Sequence, residues 1–445
     1  MFSVNYRSHY KKTLQLAYPV CISQLGHVMV GVVDTAMVGY IGSAQQAAVA
    51  LANSFYVLAL VFGLGISTGI TPLVAIADGE KDHSSMTDLL KSGFVVNLLT
   101  GILLFTVLFF CSPFLKMLDQ PEQVAEMAIP FFNVMIFSII PLAIFSSFKQ
   151  FAEGLSDTKT AMIISISANI LNVALNYVFI YGKLGFEPMG MMGACWASFW
   201  SRIVMAVAMF VYIYYHKEYK KYWKNFNLKI SFPLAKNILS IGIPSGLQSI
   251  FEIGAFAVAI IMIGWIGEKE QAAHQVAISI AAVTYMIASG IAAAASVRVG
   301  NGVGKKDITE LRTAGFSAFI LAVCFMTLSA IAFIAGRNYF PTLFSGDEQV
   351  ISIASSLLII GALFQLSDGI QVVGLGALRG MKDVTIPTII AAISYWVIGI
   401  PTSYFLAFKL HLGVQGVWYG LFLCLSVSAV SLFVRFSVVS RRFGK

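Results

Sequence analysis

The chain has 445 residues, of which 58% are hydrophobic and only 11% are charged, and its formal net charge is +8. Soluble domains contain about 45–50% apolar and about 25% charged residues, so this composition excludes a soluble globular protein and indicates one that is solvated by lipid. The five cysteines include no CxxC pair and no Cys/His cluster, and they support neither a disulfide framework nor a zinc site.

Apolar stretches recur along the whole chain. A helix that crosses a bilayer needs about 20 mostly apolar residues, and twelve such stretches predict an all-α integral membrane protein. In chain order they are 14–40, 47–75, 92–113, 126–151, 160–181, 190–214, 238–264, 272–298, 313–335, 350–376, 385–407 and 413–436. The first stretch follows a short basic segment, contains Asp34 and lacks a small-residue cleavage pattern. We therefore interpret it as a true first helix and not as a cleavable signal peptide.

Lysine and arginine are distributed unevenly over the connections. The N-terminal segment, the even-numbered connections and the tail, counted together with the span ends that border them, hold 23 of the 29 basic residues, the odd-numbered connections hold five, and Arg202 lies within the sixth span. Basic residues are enriched in cytoplasmic connections. We therefore predict a multi-pass protein of the plasma (inner) membrane with both termini and the basic linker 215–237 in the cytoplasm. On this interpretation the positive charge reflects topology and not a nucleic-acid patch.

The second half of the chain repeats the first. Residues 37–48 match 262–273 without a gap at an offset of 225, and Pro19 matches Pro244. At nearly the same spacing, further segments match: 79–82 with 304–307, 154–157 with 380–383, and 190–193 with 413–416. Because each copy has six spans, we predict two six-helix bundles related by a pseudo-two-fold axis along the membrane normal, with a cavity between them. The predicted domains are an N-terminal lobe, a cytoplasmic linker and a C-terminal lobe: 1–214, 215–237 and 238–445.

Motifs for nucleotide binding or catalysis are missing from the sequence. Residues 300–306 superficially resemble a phosphate-binding loop, but they lack its first glycine and the Ser/Thr after lysine, and they follow a span instead of a strand. There is also no HExxH, GxSxG or paired-histidine pattern. We therefore predict no enzyme, no catalytic residue and no resident cofactor. The expected energy source is a gradient of sodium ions or protons.

Three carboxylates lie deep inside predicted spans: Asp34 in the first, Glu252 in the seventh and Asp368 in the tenth. A charge at mid-membrane costs at least about 2.5–3.5 kcal/mol, so such residues normally face a cavity and mark an ion or substrate path. No lysine or arginine is predicted at comparable depth to pair with them. A purely structural role, in which a carboxylate joins helices by hydrogen bonds, stays open for each residue alone but explains all three poorly.

Two of the predicted helices carry polar faces. In the fifth span, three asparagines at helical spacing share one face: Asn169, Asn172 and Asn176. Their amides suit either a cation network or simple attachment between helices. In the first span, a polar stripe precedes the carboxylate: Gln24, His27 and Gly31. His27 occupies the register of Glu252 in the repeat, and its role is open between structure and proton relay.

These features resemble one known family over the whole chain. The segment from Pro19 through 31–39, with its echo in the seventh span, looks like the multidrug and toxic compound extrusion (MATE) family, and Glu252 and Asp368 resemble the acidic pair of its NorM-like bacterial branch. The resemblance implies a twelve-helix, two-lobed transporter. It also implies export of lipophilic, cationic small molecules in exchange for sodium ions or protons. Because the predicted cavity is complete between the two lobes of one chain, we expect the protein to function in membrane lipid as a monomer.

The resemblance also implies roles for individual residues. In the N-terminal lobe it implies a cation network of Asp34, Asn172 and Asn176. In the C-terminal lobe it implies a cation site at Glu252 and Asp368, with sodium as a candidate ligand. It places an aromatic contact at Tyr285, which suits cation–π attraction, and a substrate-contacting acid at Asp347. His27 is a departure, because some relatives have glutamine there.

Two other function classes are alternatives. A flippase for lipid-linked oligosaccharides, from a related branch of the superfamily, is expected to line its cavity with arginine and lysine for a pyrophosphate, whereas the deep ionisable groups identified in this sequence are acidic. An integral-membrane enzyme needs a nucleophile–base or metal constellation. The sequence shows neither.

Overall fold

The computed structural model describes residues 6–117, 121–223 and 231–442. Within these ranges the protein consists of helices and turns without strands. Among the described residues, twelve helical spans are long and apolar enough to cross a membrane. The predicted all-α membrane fold and the twelve spans are therefore confirmed. The linker residues 224–230 lie outside the described residues.

In residues 6–117 and 121–223, the first six spans contain eight α-helices. They are α1 (Tyr6–Gly39), α2 (Ser43–Ser67), α3 (Ile70–Glu80), α4 (His83–Cys111), α5 (Glu122–Phe137), α6 (Ile139–Gly154), α7 (Lys159–Tyr181) and α8 (Met191–Tyr215). α2 and α3 together form the second span, and α5 and α6 form the fourth. Short 3-10 helices follow α4 and α8, at Ser112–Met117 and Lys220–Tyr222.

The last six spans contain seven α-helices within the described ranges. They are α9 (Phe232–Gly264), α10 (Glu268–Gly304), α11 (Ile308–Gly336), α12 (Glu348–Gly380), α13 (Thr385–Ala392), α14 (Ile400–Tyr404) and α15 (Gly413–Arg442). Two π-helical segments, Ile393–Gly399 and Phe405–Lys409, join α13 and α14 into the eleventh span. A 3-10 helix, Phe340–Leu343, precedes α12.

Several helices extend beyond their apolar stretches because polar residues cap them. Asp82 is the N-cap of α4, where its carboxylate accepts hydrogen bonds from the backbone N–H groups of Ser84 (3.0 Å) and Ser85 (3.1 Å). Asp307, its counterpart in the repeat, caps α11 by accepting from the Glu310 N–H at 2.9 Å. A capping side chain satisfies one of the free N–H groups at a helix start. The two helices thus begin well before residues 92 and 313, where the apolar stretches start.

The repeat also extends to backbone conformation. Three pairs of repeat-related residues have left-handed φ angles: Lys81 and Lys306 (59° and 55°), Ser156 and Lys382 (69° and 62°), and Gly190 and Gly413 (57° and 56°). Residues other than glycine seldom adopt this conformation. The same strained turns at corresponding positions therefore show that the two halves share their connections as well as their helices.

The chain forms two compact units whose boundaries lie inside helices. The N unit is Ile22–Gly246, and the C unit combines Leu247–Lys445 with the segment that ends at Cys21. Both boundaries fall shortly after the repeat-related prolines, Pro19 in α1 and Pro244 in α9. The predicted lobes 1–214 and 238–445 differ from these units, because the first part of α1 belongs to the C unit and the first part of α9 to the N unit.

Close contacts within each unit explain why the first part of α1 belongs to the C unit and the first part of α9 to the N unit. In the C unit, the Cys21 thiol donates to the Ile287 carbonyl at 3.3 Å. In the N unit, a Cβ atom added to Gly65 of α2 would lie only 2.4 Å from the Cα atom of Gly246 in α9. Glycine permits such close approach of two backbones. Each early half-helix is thus packed into the unit formed mainly by the other half of the chain.

Candidate functional site

The N unit encloses a cavity of about 490 Å³. Side chains from α1, α2, α5, α6, α7 and α8 line it, and it contains five of the polar residues that the sequence singled out: Gln24, His27, Asp34, Asn169 and Asn172. His27 is exposed to this space. The structure therefore brings the polar faces of the first and fifth spans to one cavity.

Asp34 accepts hydrogen bonds from neutral groups on α7 and α8. The Asn176 amide donates to its Oδ1 atom at 2.5 Å, and the Ser198 hydroxyl lies 3.5 Å from Oδ2. The orientation of the Asn172 amide that suits its neighbours places its nitrogen 3.0 Å from Oδ1, while its oxygen accepts from the Ser198 backbone N–H at 3.2 Å. Asn172 and Asn176 are almost fully buried. The three residues predicted as a network, Asp34, Asn172 and Asn176, are thus in direct contact.

Basic side chains share the cavity with Asp34. Arg202 of α8 and Lys149 of α6 both line it. The prediction that no lysine or arginine lies at comparable depth is therefore wrong for the N unit. The sequence itself indicated that these two basic residues lie within the membrane, because Arg202 falls inside the sixth predicted span and Lys149 inside the fourth. The fourth helical span continues past Lys149 to Gly154, so this lysine is not in a connection.

The C unit contains the predicted acidic pair. Asp368 of α12 is buried, with 7% of its surface exposed, and Glu252 of α9 is half-buried. The two carboxylates are near enough to interact electrostatically. Tyr285 of α10 interacts electrostatically with both carboxylates. All three predicted C-lobe residues therefore belong to one cluster inside one unit.

The acidic pair is surrounded by further polar residues, which the sequence analysis did not identify. The Gln371 amide donates to the Tyr395 hydroxyl at 2.6 Å, and the Thr284 hydroxyl donates to the Gln365 carbonyl at 3.0 Å. Gln365 and Gln371 are fully buried. The sequence could have indicated both glutamines, because each lies three residues from Asp368 and the three side chains form a polar stripe along α12.

Arg379 adds a positive charge near this cluster. It lies in the last turn of α12, and its guanidinium interacts electrostatically with Tyr285. Its buried Nε atom has no hydrogen-bond partner among the described residues. The sequence assigned Arg379 to a connection, but helix α12 continues four residues beyond the predicted end of the tenth span.

Asp347 lies apart from both clusters and has contacts of its own. It caps α12 by accepting from the backbone N–H of Gln349 at 2.8 Å, and its carboxylate lies 3.1 Å from the Lys269 ammonium. The hydrogen bond from Lys269 and those from the helix start hold the pKa of the Asp347 carboxyl below its usual range. These contacts describe a helix cap at the surface, and contact with substrate stays a prediction.

The acidic cluster offers oxygen ligands of the kind that hard cations prefer. These are the carboxylates of Glu252 and Asp368 and the hydroxyl of Tyr285. Within residues 6–117, 121–223 and 231–442, no group of three or more His, Cys, Asp or Glu side chains is placed to hold a metal ion. A sodium ion at Glu252 and Asp368 therefore stays a prediction.

The chain is similar to known proteins over nearly its whole length. The MatE family model matches residues 19–178 and 244–405, two segments that begin at the repeat-related prolines. A probable multidrug resistance protein NorM of Rhizobium meliloti is 32% identical over 98% of this chain and 94% of its own. Multidrug resistance protein NorM of Photobacterium profundum is 31% identical over 97% of this chain and 96% of its own.

A solved structure has the same fold. The crystal structure of MATE in the straight conformation superposes with a TM-score of 0.90 at 20% identity, covering 98% of this chain and 97% of that one. The twelve spans, the repeat and the full-length NorM relatives lead to one conclusion. The chain belongs to the MatE family and is a NorM-like membrane transporter of the multidrug efflux type.

Proposed function

We propose that the protein exports lipophilic, cationic small molecules in exchange for sodium ions or protons. The observation that carries this proposal is the cluster of Glu252, Asp368 and Tyr285 inside the C unit. Two carboxylates in a protein interior repel each other and are costly to keep ionised without a cation or a proton. The cluster is therefore suited to bind either one, and full-length relatives named multidrug resistance proteins support drugs as the exported cargo.

Exchange follows from competition for the same negative charge. A cationic drug and a coupling ion cannot both neutralise Glu252 and Asp368, so occupancy by one weakens binding of the other. The Tyr285 ring offers an aromatic face to an organic cation, which adds cation–π attraction for the drug. The same carboxylates thus link drug release to ion binding, as alternating access requires.

Asp34 has a different role in this proposal. Its oxygens already accept from the neutral donors of Asn172, Asn176 and Ser198, and Arg202 interacts with it electrostatically without forming an ion pair among the described residues. A change in its protonation alters hydrogen bonds that join α1 to α7 and α8. Pro19 interrupts the hydrogen-bond ladder of α1 and permits a bend there. We propose that Asp34 controls the shape of α1 while the C unit binds the coupling ion.

An efflux assay tests the coupling. In proteoliposomes loaded with a cationic dye, we expect uphill dye movement when a sodium or a proton gradient is imposed separately, and no movement when ATP alone is supplied. The reason is that the sequence has no nucleotide-binding motif. Dissipating the effective gradient with an ionophore should stop export. Uphill transport that persists without either gradient would disprove the antiport proposal.

We further propose that the protein lies in the plasma (inner) membrane with both termini in the cytoplasm, and that one chain is sufficient for transport. The basic residues of the connections support the orientation. Each of the two sites lies within a single unit of one chain: the acidic cluster in the C unit and the Asp34 network in the N unit. This arrangement supports a functional monomer.

Cysteine labelling tests the orientation. In a variant whose exposed Cys111 and Cys324 are replaced by serine, Lys217→Cys should react with a membrane-impermeant maleimide only from the cytoplasmic side. Lys217 is exposed and follows α8. Lys183→Cys, also exposed but between α7 and α8, is the matched control and should react only from outside. Labelling of Lys217→Cys in intact cells would reverse the proposed topology.

The lipid-linked oligosaccharide flippase remains a second candidate because of a specific observation. Arg202 and Lys149 line the N-unit cavity, and basic residues are what binding of a pyrophosphate group requires. The acidic cluster of the C unit and the names of the full-length relatives favour drug export. The efflux assay separates the two functions, since a flippase would not move a cationic dye against its gradient.

A further inference from the structure

We infer that a groove on the surface of the N unit binds one anionic phospholipid, with an acyl chain in the groove and the phosphate at the lysines that follow α8. The groove has a volume of about 450 Å³ and is formed by α4, α6, α8 and the ring of Trp223. This inference goes beyond the proposed transport function, because the ligand stays bound and is not exported. On the proposed orientation, the lipid belongs to the cytoplasmic leaflet.

The groove is separate from the cavity that contains Asp34. Both are bordered by α6 and α8, but on different sides of these helices. On α6, Ile144 and Phe148 line the groove, whereas Phe145 and Lys149, one position further along, line the cavity. All the side chains that line the groove are apolar or aromatic. The groove therefore has no polar group to bind a drug-like ligand, and it suits a hydrocarbon chain.

The length of the groove matches one half of a bilayer. The lining residue of α8 furthest from the end of that helix is Ile203, and α8 ends at Tyr215. At about 1.5 Å per residue the two are about 18 Å apart along the helix, and half of the hydrocarbon core is about 15 Å thick. Val207 and Phe210 lie between them and are 54% and 40% exposed, so the groove is open to lipid. It can thus take one acyl chain of one leaflet.

Trp223 closes the groove beside the end of α8. Its indole N–H donates to the Ile213 carbonyl at 3.2 Å, and its ring centre lies 5.7 Å from that of Phe210 and 5.4 Å from that of Tyr214. Tryptophan is enriched at the boundary between membrane and water, because its ring is apolar and its N–H is polar. A chain in the groove therefore has its head group next to Trp223.

The turn that precedes Trp223 carries positive charge at this end of the groove. Lys217, Lys220 and Lys221 are exposed, and none of them forms an ion pair among the described residues. Glu218 is the one acid in the same turn. The backbone N–H of Trp223 donates to the Lys220 carbonyl at 3.2 Å, which holds the turn beside the groove. Basic pockets at the cytoplasmic ends of spanning helices bind the head groups of anionic lipids.

The groove and the lysines specify the ligand only in combination. An acyl chain of any membrane lipid fits an apolar groove, and exposed lysines attract any anion. Their juxtaposition selects a molecule that has a long apolar chain and a negative charge at one end of it. Among the molecules that surround a membrane protein, an anionic phospholipid has this form.

Native mass spectrometry of the purified full-length protein in detergent tests the inference. The probes are palmitoyl-oleoyl phosphatidylglycerol and palmitoyl-oleoyl phosphatidylcholine, which have the same chains and differ in net charge. We expect one phosphatidylglycerol to bind at least about tenfold more tightly, because each lysine near an anionic head group contributes roughly fivefold. The triple variant Lys217→Gln, Lys220→Gln, Lys221→Gln should bind phosphatidylglycerol no more tightly than phosphatidylcholine. Its unchanged binding of phosphatidylcholine reports a folded protein.

A control variant removes the same number of exposed basic residues from the C unit. It combines Lys306→Gln, Lys382→Gln and Arg441→Gln. We expect this variant to change the affinity for phosphatidylglycerol by less than about twofold, because screened charges act only over about 10 Å. A comparison of the two triple variants separates a local site from a general attraction between lipid and a basic protein.

Val207→Trp tests the groove itself. The new ring would occupy the space of the acyl chain, so the affinity for both lipids should fall several-fold. Val204→Trp is the matched control, because Val204 lies one turn earlier on α8, is 44% exposed and does not line the groove. It should bind both lipids like the wild type.

The other outcomes would overturn the inference. These are equal binding of the two lipids by the wild type, equal losses in the two triple variants, and unchanged binding of phosphatidylglycerol in Val207→Trp. If the wild type binds phosphatidylglycerol only after residues 224–230 are replaced by a glycine–serine linker, that segment occupies the groove and the inference is wrong. Failure of dye export would reject the proposed function alone, because lipid binding is measured without transport.

Discussion

Glu252→Gln and Asp368→Asn are each expected to abolish gradient-driven export while folded protein remains in the membrane. Each change keeps the size of the side chain and removes one negative charge from the C-unit cluster. Two opposite unit charges about 4 Å apart interact with about 4 kcal/mol at an effective dielectric constant of about 20. Losing one carboxylate should therefore weaken cation binding by roughly a thousandfold.

The measurement is dye efflux from proteoliposomes, with sodium and proton gradients imposed separately. Glu268→Gln is the matched control, because Glu268 is an exposed acid of the same unit at the start of α10. It should transport at the wild-type rate. If Glu252→Gln and Asp368→Asn both retain wild-type export, the two acids are structural and the C-unit site is wrong.

Hydropathy was sufficient to predict the twelve spans, because apolar length is the physical requirement for crossing a bilayer. It could not locate their ends. Asp82 and Asp307 begin α4 and α11 several residues before the apolar stretches, since a cap satisfies backbone N–H groups whatever the hydropathy of the turn that follows. Helix ends depend on local hydrogen bonds that an average over about 20 residues does not register.

The domain boundaries required tertiary information. A long basic linker is the obvious place to divide a repeated chain, yet the compact units divide inside α1 and α9 after Pro19 and Pro244. Contacts such as that between Gly65 and Gly246 decide this, and they join residues far apart in sequence. The repeat places the two prolines in register but does not specify which unit each half-helix contacts.

The candidate site was predictable in part. Acids inside apolar spans led directly to Asp34, Glu252 and Asp368, because an uncompensated charge is costly in lipid. Arg202 and Lys149 were harder to interpret, since a basic residue within a span can extend towards the membrane surface or face a cavity. Only the packing of α6 and α8 around the space beside Asp34 shows that they face it.

Asp34→Asn is expected to slow export at least about tenfold and to leave competition between ion and drug intact. In the C unit, Glu252 and Asp368 still offer their charge to both cations. In the N unit, the amide of the new asparagine has one acceptor oxygen where the carboxylate had two, so it cannot accept from Asn172, Asn176 and Ser198 together. Hydrogen bonds to a charged group contribute about 1.5–3 kcal/mol, and losing one is enough for a tenfold effect.

Equilibrium binding of rhodamine 123 across sodium and pH titrations distinguishes the two roles. The wild type and Asp34→Asn should show the same displacement of dye by the coupling ion, whereas Glu252→Gln should show none. Asp88→Asn is the control, because Asp88 is a partly exposed acid of the N unit that lies outside the cavity and 3.6 Å from the Lys91 ammonium. The assignment of ion binding to the C unit would be reversed if Asp34→Asn lost all competition between ion and dye while Glu252→Gln kept it. The N unit would then bind the coupling ion, because displacement of one cation by another requires that both neutralise the same carboxylate.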